Sequence, residues 1–127
     1  MIVGKILVIE DDDGMRTSIK RLLGAAGLTS AEYASAEELL AGGVAEDVAC
    51  VVCDVKLPGK SGLELLAELR ARGVELPFIL ITAYDLPRVG EEARMRGAAY
   101  LTKPFVGTEL LDAISAAVEP ATPTSRR

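Results

Sequence analysis

Short apolar runs alternate five times with stretches in which apolar residues recur every three or four positions. The run "KILVI" at 5–9 reads as a strand, and Met15, Ile19, Leu22, Leu23 and Ala26 behind it mark one face of a helix. "TSAEY" at 29–33 is a weaker strand. Ser35 caps the short helix "AEELLA" that follows, with Glu38 three residues on to complete a capping box. "VACVVC" at 48–53 is the third strand; the helix after its loop begins near Ser61, turns Leu63, Leu66 and Ala67 inward and ends at Gly73. "FILIT" at 78–82 is the fourth, followed by a helix that Asp85 and Pro87 open, Gly90 weakens and Gly97 stops. "AYL" at 99–101 is a short fifth strand, and Val106, Leu110, Ile114, Ala117 and Val118 lie along the last helix.

Five strand-helix alternations predict a mostly parallel sheet with helices on both faces. Strands one, three and four are nearly continuous apolar runs, as burial on both faces requires, whereas two and five are short or mixed, as suits edges. The expected fold is therefore α/β, a flavodoxin-like doubly wound (βα)5 sandwich with a five-stranded parallel sheet in the order 2-1-3-4-5. At 127 residues the chain has room for one domain. That domain is expected over 1–119, with "PATPTSRR" at 120–127 a flexible tail or the start of a linker.

Composition narrows the function classes. Hydrophobic residues make up 50% of the chain and aromatics only 4%, so the core must be built from Val, Ile, Leu and Ala. Fourteen Lys and Arg against nineteen Asp and Glu give a net charge of -5, which disfavours direct binding of a nucleic acid backbone by this domain. No apolar run approaches the length of about 18 residues that a membrane helix needs, and "MIVGKILVIEDDD" meets acids too soon for a signal peptide. A cytoplasmic location is expected. Cys50 and Cys53 form a CxxC, but a redox pair normally opens a helix, and strand alternation sends these two to opposite faces. With no other Cys and no His, zinc lacks ligands.

In an open α/β sheet, ligands gather outside the carboxyl ends of the strands, where strand order reverses. Glu10 and Asp11 follow the first strand, Asp54 the third, Thr82 the fourth and Lys103 the fifth. Asp12 and Asp13 are explained as a solvated turn and a helix cap. Three converging carboxylates repel, so at least one pKa should rise unless a cation neutralises them, and an oxygen-rich site suits Mg²⁺. Asp54 could then act as a nucleophile toward a phosphoryl group, with the Lys103 ammonium and the Thr82 hydroxyl holding its oxygens. An X-Pro bond at Lys103-Pro104 is a place where a cis peptide could aim the lysine.

Taken together, the acidic pair "ED" with Arg16 beyond it, "DVKLPGKSG" around Asp54, "TA" at Thr82 and Ala83, and "YLTKPF" resemble the receiver domain of bacterial two-component response regulators. The likeness runs from Lys5 to Val118. It implies that Asp54 is the phospho-acceptor, that Asp11 binds Mg²⁺ directly and Glu10 more loosely, and that Lys56 lends its backbone carbonyl. It further implies that Thr82 and Lys103 contact the phosphoryl group and that the Lys103-Pro104 bond is cis. The implied donor is a phosphohistidine on a sensor histidine kinase or a histidine phosphotransfer protein, which fits a chain with no His of its own. In the implied switch, Thr82 moves toward the phosphoryl group, Tyr100 turns inward, and the face of the fourth helix, fifth strand and fifth helix changes to control an output domain or partner, with homodimerisation as one outcome.

Other functions use parts of the same pattern. A haloacid dehalogenase-class phosphatase also uses a nucleophilic aspartate with Mg²⁺ but needs a second aspartate two residues on, where Lys56 stands. An FMN carrier needs a phosphate-cradling loop without negative charge after the first strand, the opposite of "EDDD". A phosphorylation-independent pseudo-receiver, acting only as a protein-interaction module, is the alternative within the same fold. The chain is not expected to be an enzyme beyond Mg²⁺-dependent self-phosphorylation and autodephosphorylation, and the bulk of Lys56 and Tyr84 is expected to slow the second of these.

Overall fold

The computed structural model describes residues 2–83 and 86–118; the expectations placed on Tyr84, Asp85 and the 120–127 tail lie outside them. Among the described residues, strands β1 (Lys5–Ile9), β2 (Ser30–Tyr33), β3 (Val48–Asp54), β4 (Phe78–Thr82) and β5 (Ala99–Thr102) alternate with helices α1 (Asp13–Ala25), α2 (Ala36–Gly42), α3 (Gly62–Ala71), α4 (Pro87–Met95) and α5 (Gly107–Val118). All pairings are parallel and the order is β2-β1-β3-β4-β5. The two strands that are buried at every position, β3 and β4, are central, and the half-buried β2 and β5 form the edges. The doubly wound sandwich expected from the pattern is the fold.

Strand alternation divides the core in two. On one face Leu7, Ile9, Val51, Cys53, Phe78 and Leu80 pack with Ala36 and Leu39 of α2, Leu65, Leu66 and Leu69 of α3 and Ala93 of α4. On the other, Ile6, Val8, Cys50, Val52, Ile79 and Ile81 meet Ile19 and Leu23 of α1 and Leu110 and Ile114 of α5. Each fully buried aliphatic side chain of this kind contributes about 1.5–3 kcal/mol by leaving water. Cys50 and Cys53 are free thiols on opposite faces.

Several local expectations change. In α3 the buried positions are Gly62, Leu65, Leu66 and Leu69; of the positions expected inward Leu66 is buried while Leu63 and Ala67 are only half-buried, because the leucine-rich "LELLAEL" offers more than one apolar face. Ala26 is exposed, and Val106 lies before α5 and is exposed. At α2, Ser35 accepts from the Glu38 N–H, but the Glu38 carboxylate takes the Ala34 N–H instead of closing the box. The reciprocal box is at α3, between Ser61 and Glu64. Asp12 caps α1 by accepting from the Met15 N–H at 2.7 Å.

Candidate functional site

Register assembles the site. Ile9 is level with Cys53, Asp54 with Ile81, and Thr82 with Thr102, so Glu10, Asp54, Thr82 and Lys103 all emerge at the carboxyl edge of adjacent strands. Glu10, Asp54 and Thr82 are the buried polar side chains of the described residues, at 3%, 7% and 4% exposure, while Asp11 is exposed. One carboxylate oxygen each from Glu10, Asp11 and Asp54 lie within 4.8 Å of one another. These residues, with Lys56, Leu57, Pro58, Ala83 and Lys103, line an open cleft of about 600 Å³.

Buried carboxylates need partners. Lys103 Nζ donates to Asp54 Oδ2 at 3.0 Å and to Glu10 Oε1 at 3.1 Å, so one ammonium bridges both acids. Asp54 Oδ1 accepts from the Lys56 N–H at 3.2 Å, and Glu10 Oε2 from the Asp12 N–H at 3.1 Å. Burial pushes the Glu10 carboxyl up to about 7, the Asp54 charge adding to the rise, while the Asp12 N–H and Lys103 oppose it. Burial alone would lower the Lys103 pKa, but hydrogen bonds to Asp54 and then Glu10 outweigh it and the net direction is upward. The three carboxylates form an oxygen-only donor set of the kind that suits a hard divalent cation, and the raised Glu10 pKa reflects the cost of burying its negative charge beside Asp54.

The surrounding backbone is tightly tied. The Lys103 N–H donates to the Thr82 carbonyl at 2.7 Å, and the Lys103-Pro104 peptide is cis. Tyr100 on β5 is half-buried; its hydroxyl accepts from the Leu86 N–H at 3.2 Å, and its ring lies 3.4 Å from where a Cβ on Gly90 of α4 would stand. Thr82 shares a strand face with Leu80, against whose layer Tyr100 also packs.

All the side chains expected at the site therefore converge except Tyr100, which borders α4. Sequence reasoning singled out Arg16 without giving it a contact, and it missed a second support at Gly62. Arg16 reaches back with Nη1 to the Glu10 carbonyl at 2.8 Å, while its Nη2 pairs with Asp13. Gly62 presses so closely on β3 that a Cβ there would stand 2.2 Å from the Asp54 carbonyl oxygen. Arg16 six residues after Glu10 was a readable signal; the Gly62 contact depends on how the loop folds back.

The doubly wound sheet thus carries two buried acids, a bridging lysine and a buried threonine at its carboxyl edge. The family model of the response regulator receiver domain matches residues 6–115, and the chain belongs to that family. It is 41% identical over 112 residues to the transcriptional regulatory protein FixJ of Azorhizobium caulinodans, a match that covers 87% of this chain and 53% of that protein. Against nodulation protein W of Bradyrhizobium diazoefficiens the identity is 38% over 115 residues, covering 90% and 51% respectively. The crystal structure of a response regulator receiver domain protein from Clostridium thermocellum superposes with a TM-score of 0.84 at 30% identity, over 91% of this chain and 94% of that one. The chain is thus a receiver domain of two-component signalling. It spans about half the length of these two curated relatives. Among the described residues no helix is long and apolar enough to cross a membrane.

Proposed function

We propose that this receiver accepts a phosphoryl group on Asp54 from a phosphohistidine of a sensor histidine kinase or phosphotransfer protein, with Mg²⁺ as cofactor. The observation that carries the reading is Asp54 itself: a nearly buried carboxylate at a strand end, held by Lys103 and the Lys56 N–H and flanked by two further acids. Glu10, Asp11, Asp54 and the Lys56 carbonyl would hold the metal, whose charge offsets that of the carboxylates and of the phosphoryl oxygens. A carboxylate oxygen of Asp54 bonds to phosphorus as the P–N bond breaks, its electron pair leaving with the donor imidazole, and the product is an acyl phosphate. Lys103 Nζ, already 3.0 Å from Asp54, and the Thr82 hydroxyl then hold the phosphoryl oxygens.

The acyl phosphate biases a two-state equilibrium in which Thr82 moves toward it, Tyr100 turns inward, and the α4-β5-α5 face is remodelled. That face controls an output domain or a partner, and homodimerisation is one way to do so. The name transcriptional regulatory protein, borne by the FixJ relative, supports an output in gene control that lies outside this acidic domain. Apart from its own phosphorylation and the loss of that phosphate, the domain is not expected to hydrolyse external phosphate esters in the haloacid dehalogenase manner, because Lys56 occupies the position of the acid-base aspartate. The site of action is the cytoplasm.

Incubation with Mg²⁺ and acetyl phosphate, followed by intact mass, tests the reading. One phosphoryl adduct is expected in the native chain and none in Asp54→Asn or with EDTA. Absence of an adduct in the native chain, together with failure to bind beryllofluoride, would leave a phosphorylation-independent interaction domain.

A further inference from the structure

The loop from β3 to α3 carries the Lys56 carbonyl, and it is held from an unexpected direction. Glu37, on the first turn of α2, accepts the Lys60 N–H on Oε2 at 2.8 Å across 23 positions of sequence. The same oxygen lies 2.7 Å from where a Cβ on Gly59 would stand, so the carboxylate is seated directly on the loop backbone. The Lys60 N–H, and then Glu37's own, hold the Glu37 carboxyl below the ordinary carboxylate range. The N-terminus of α2 has other groups serving it: Ser35 accepts the Glu38 N–H and Glu38 the Ala34 N–H. Glu37 therefore reaches outward to the loop.

Both ends of this loop are tied. At the near end Lys56 donates to Asp54 Oδ1 and Leu57 is buried among the core residues. At the far end Lys60 is held through its backbone by Glu37 and through its ammonium by Glu68 at 2.8 Å. Only Pro58 and Gly59 lie between Leu57 and Lys60. The Val55 N–H and carbonyl are already bonded to the Ile81 carbonyl and the Gly62 N–H, so the short stretch from Lys56 to Lys60 is the part the far anchor can orient.

We propose that Glu37 is a positioning residue for the metal site, fixing the loop that presents the Lys56 carbonyl to the acidic cluster. The inference rests on the receiver reading of that cluster. Ligand-supporting groups outside the coordination sphere typically change metal affinity by about 10–100-fold when removed. Because Leu57 and the Asp54 contact remain, the expected loss here is at the lower limit, about tenfold.

The test titrates Mg²⁺ alone into the native chain, Glu37→Ala and Glu37→Gln by calorimetry, with amide hydrogen exchange on the metal-free proteins. Glu37→Ala is expected to bind about tenfold more weakly and to lose protection at the Lys60 amide. Glu37→Gln keeps an acceptor oxygen while removing the charge, and is expected to restore most of the affinity and the protection. A Glu37→Ala affinity equal to native would overturn the inference and leave the receiver reading standing. A Glu37→Gln variant as weak as Glu37→Ala would also overturn it, by assigning the effect to charge acting at a distance. A native chain that takes up no Mg²⁺ would overturn both.

Discussion

Lys103 bridges the Glu10 and Asp54 carboxylates, and the buried Glu10 carboxyl makes the metal-free site respond to pH. The Glu10 carboxyl titrates near 7 in the fold, against 4.5 in the absence of its surroundings. Between those values the native state holds a proton that the unfolded chain has released, so this group makes the metal-free domain less stable as pH rises through the window. On the proposed function Mg²⁺ would bind the ionised site, so the stability it adds should be small at the acidic end and grow as Glu10 ionises. Urea midpoints with and without Mg²⁺, taken near the bottom of that window and above its top, check this; an equal metal increment at both would refute it. These residues were legible because each is a polar residue directly after an apolar strand, and register alone brings them level. Glu37 was not, since nothing local in "SAEELL" distinguishes a helix-capping acid from one that reaches a loop 23 positions away.

At the scale of elements, two glycines that look alike in sequence behave differently. Gly62 opens α3 with its Cα against the β3 backbone, and a Cβ 2.2 Å from the Asp54 carbonyl oxygen cannot be relieved by moving a flexible side chain. Gly62→Ala should cost about 3 kcal/mol or more, since relief requires α3 or β3 to shift. Gly90 sits inside α4 with the Tyr100 ring at an ordinary contact distance of 3.4 Å, so Gly90→Ala should stabilise by about 0.5–1 kcal/mol through helix propensity. Chemical denaturation of both variants beside the native chain measures the contrast, and the same sign for both would contradict it. The sequence showed that α3 and α4 exist and roughly where they end. It placed Leu66 inward but not Leu65 and Leu69, because the apolar residues of α3 cover more than one face and tertiary packing made the choice.

Across the whole molecule the helices are unequally held. α3 buries Gly62, Leu65, Leu66 and Leu69, whereas α4 buries Ala93 alone. The α4 N-terminus has Leu86 at the cap position with no side-chain cap and relies on the Tyr100 hydroxyl at the Leu86 N–H. Its C-terminal end is tied by Arg70 Nε, which donates to the Arg96 carbonyl at 2.9 Å while Nη1 reaches the Val74 carbonyl at 2.8 Å. An element fixed at one end and lightly packed along its length is the one a local charge can move. Beryllofluoride with Mg²⁺ should therefore change amide exchange mainly in the first turns of α4 and in β5, with α3 little affected. Unchanged exchange in α4 would count against this switch. The strand order was readable from the contrast between continuous and mixed apolar runs, but this asymmetry was not, because it arises from contacts between α3, α4 and β5 that no single segment encodes.

The two thiols under the sheet offer a further consequence. Burial pushes the Cys50 thiol up to about 12 and moves Cys53 upward as well, so neither reacts as a thiolate while its layer is closed. Cys50 lies beneath α1 and α5, and Cys53 beneath α2, α3 and α4. Alkylation of one cysteine or the other therefore times the opening of one helical layer independently of its opposite. The chain contains its own pair of reporters, able to distinguish a domain that opens one helical layer from one that unfolds as a whole.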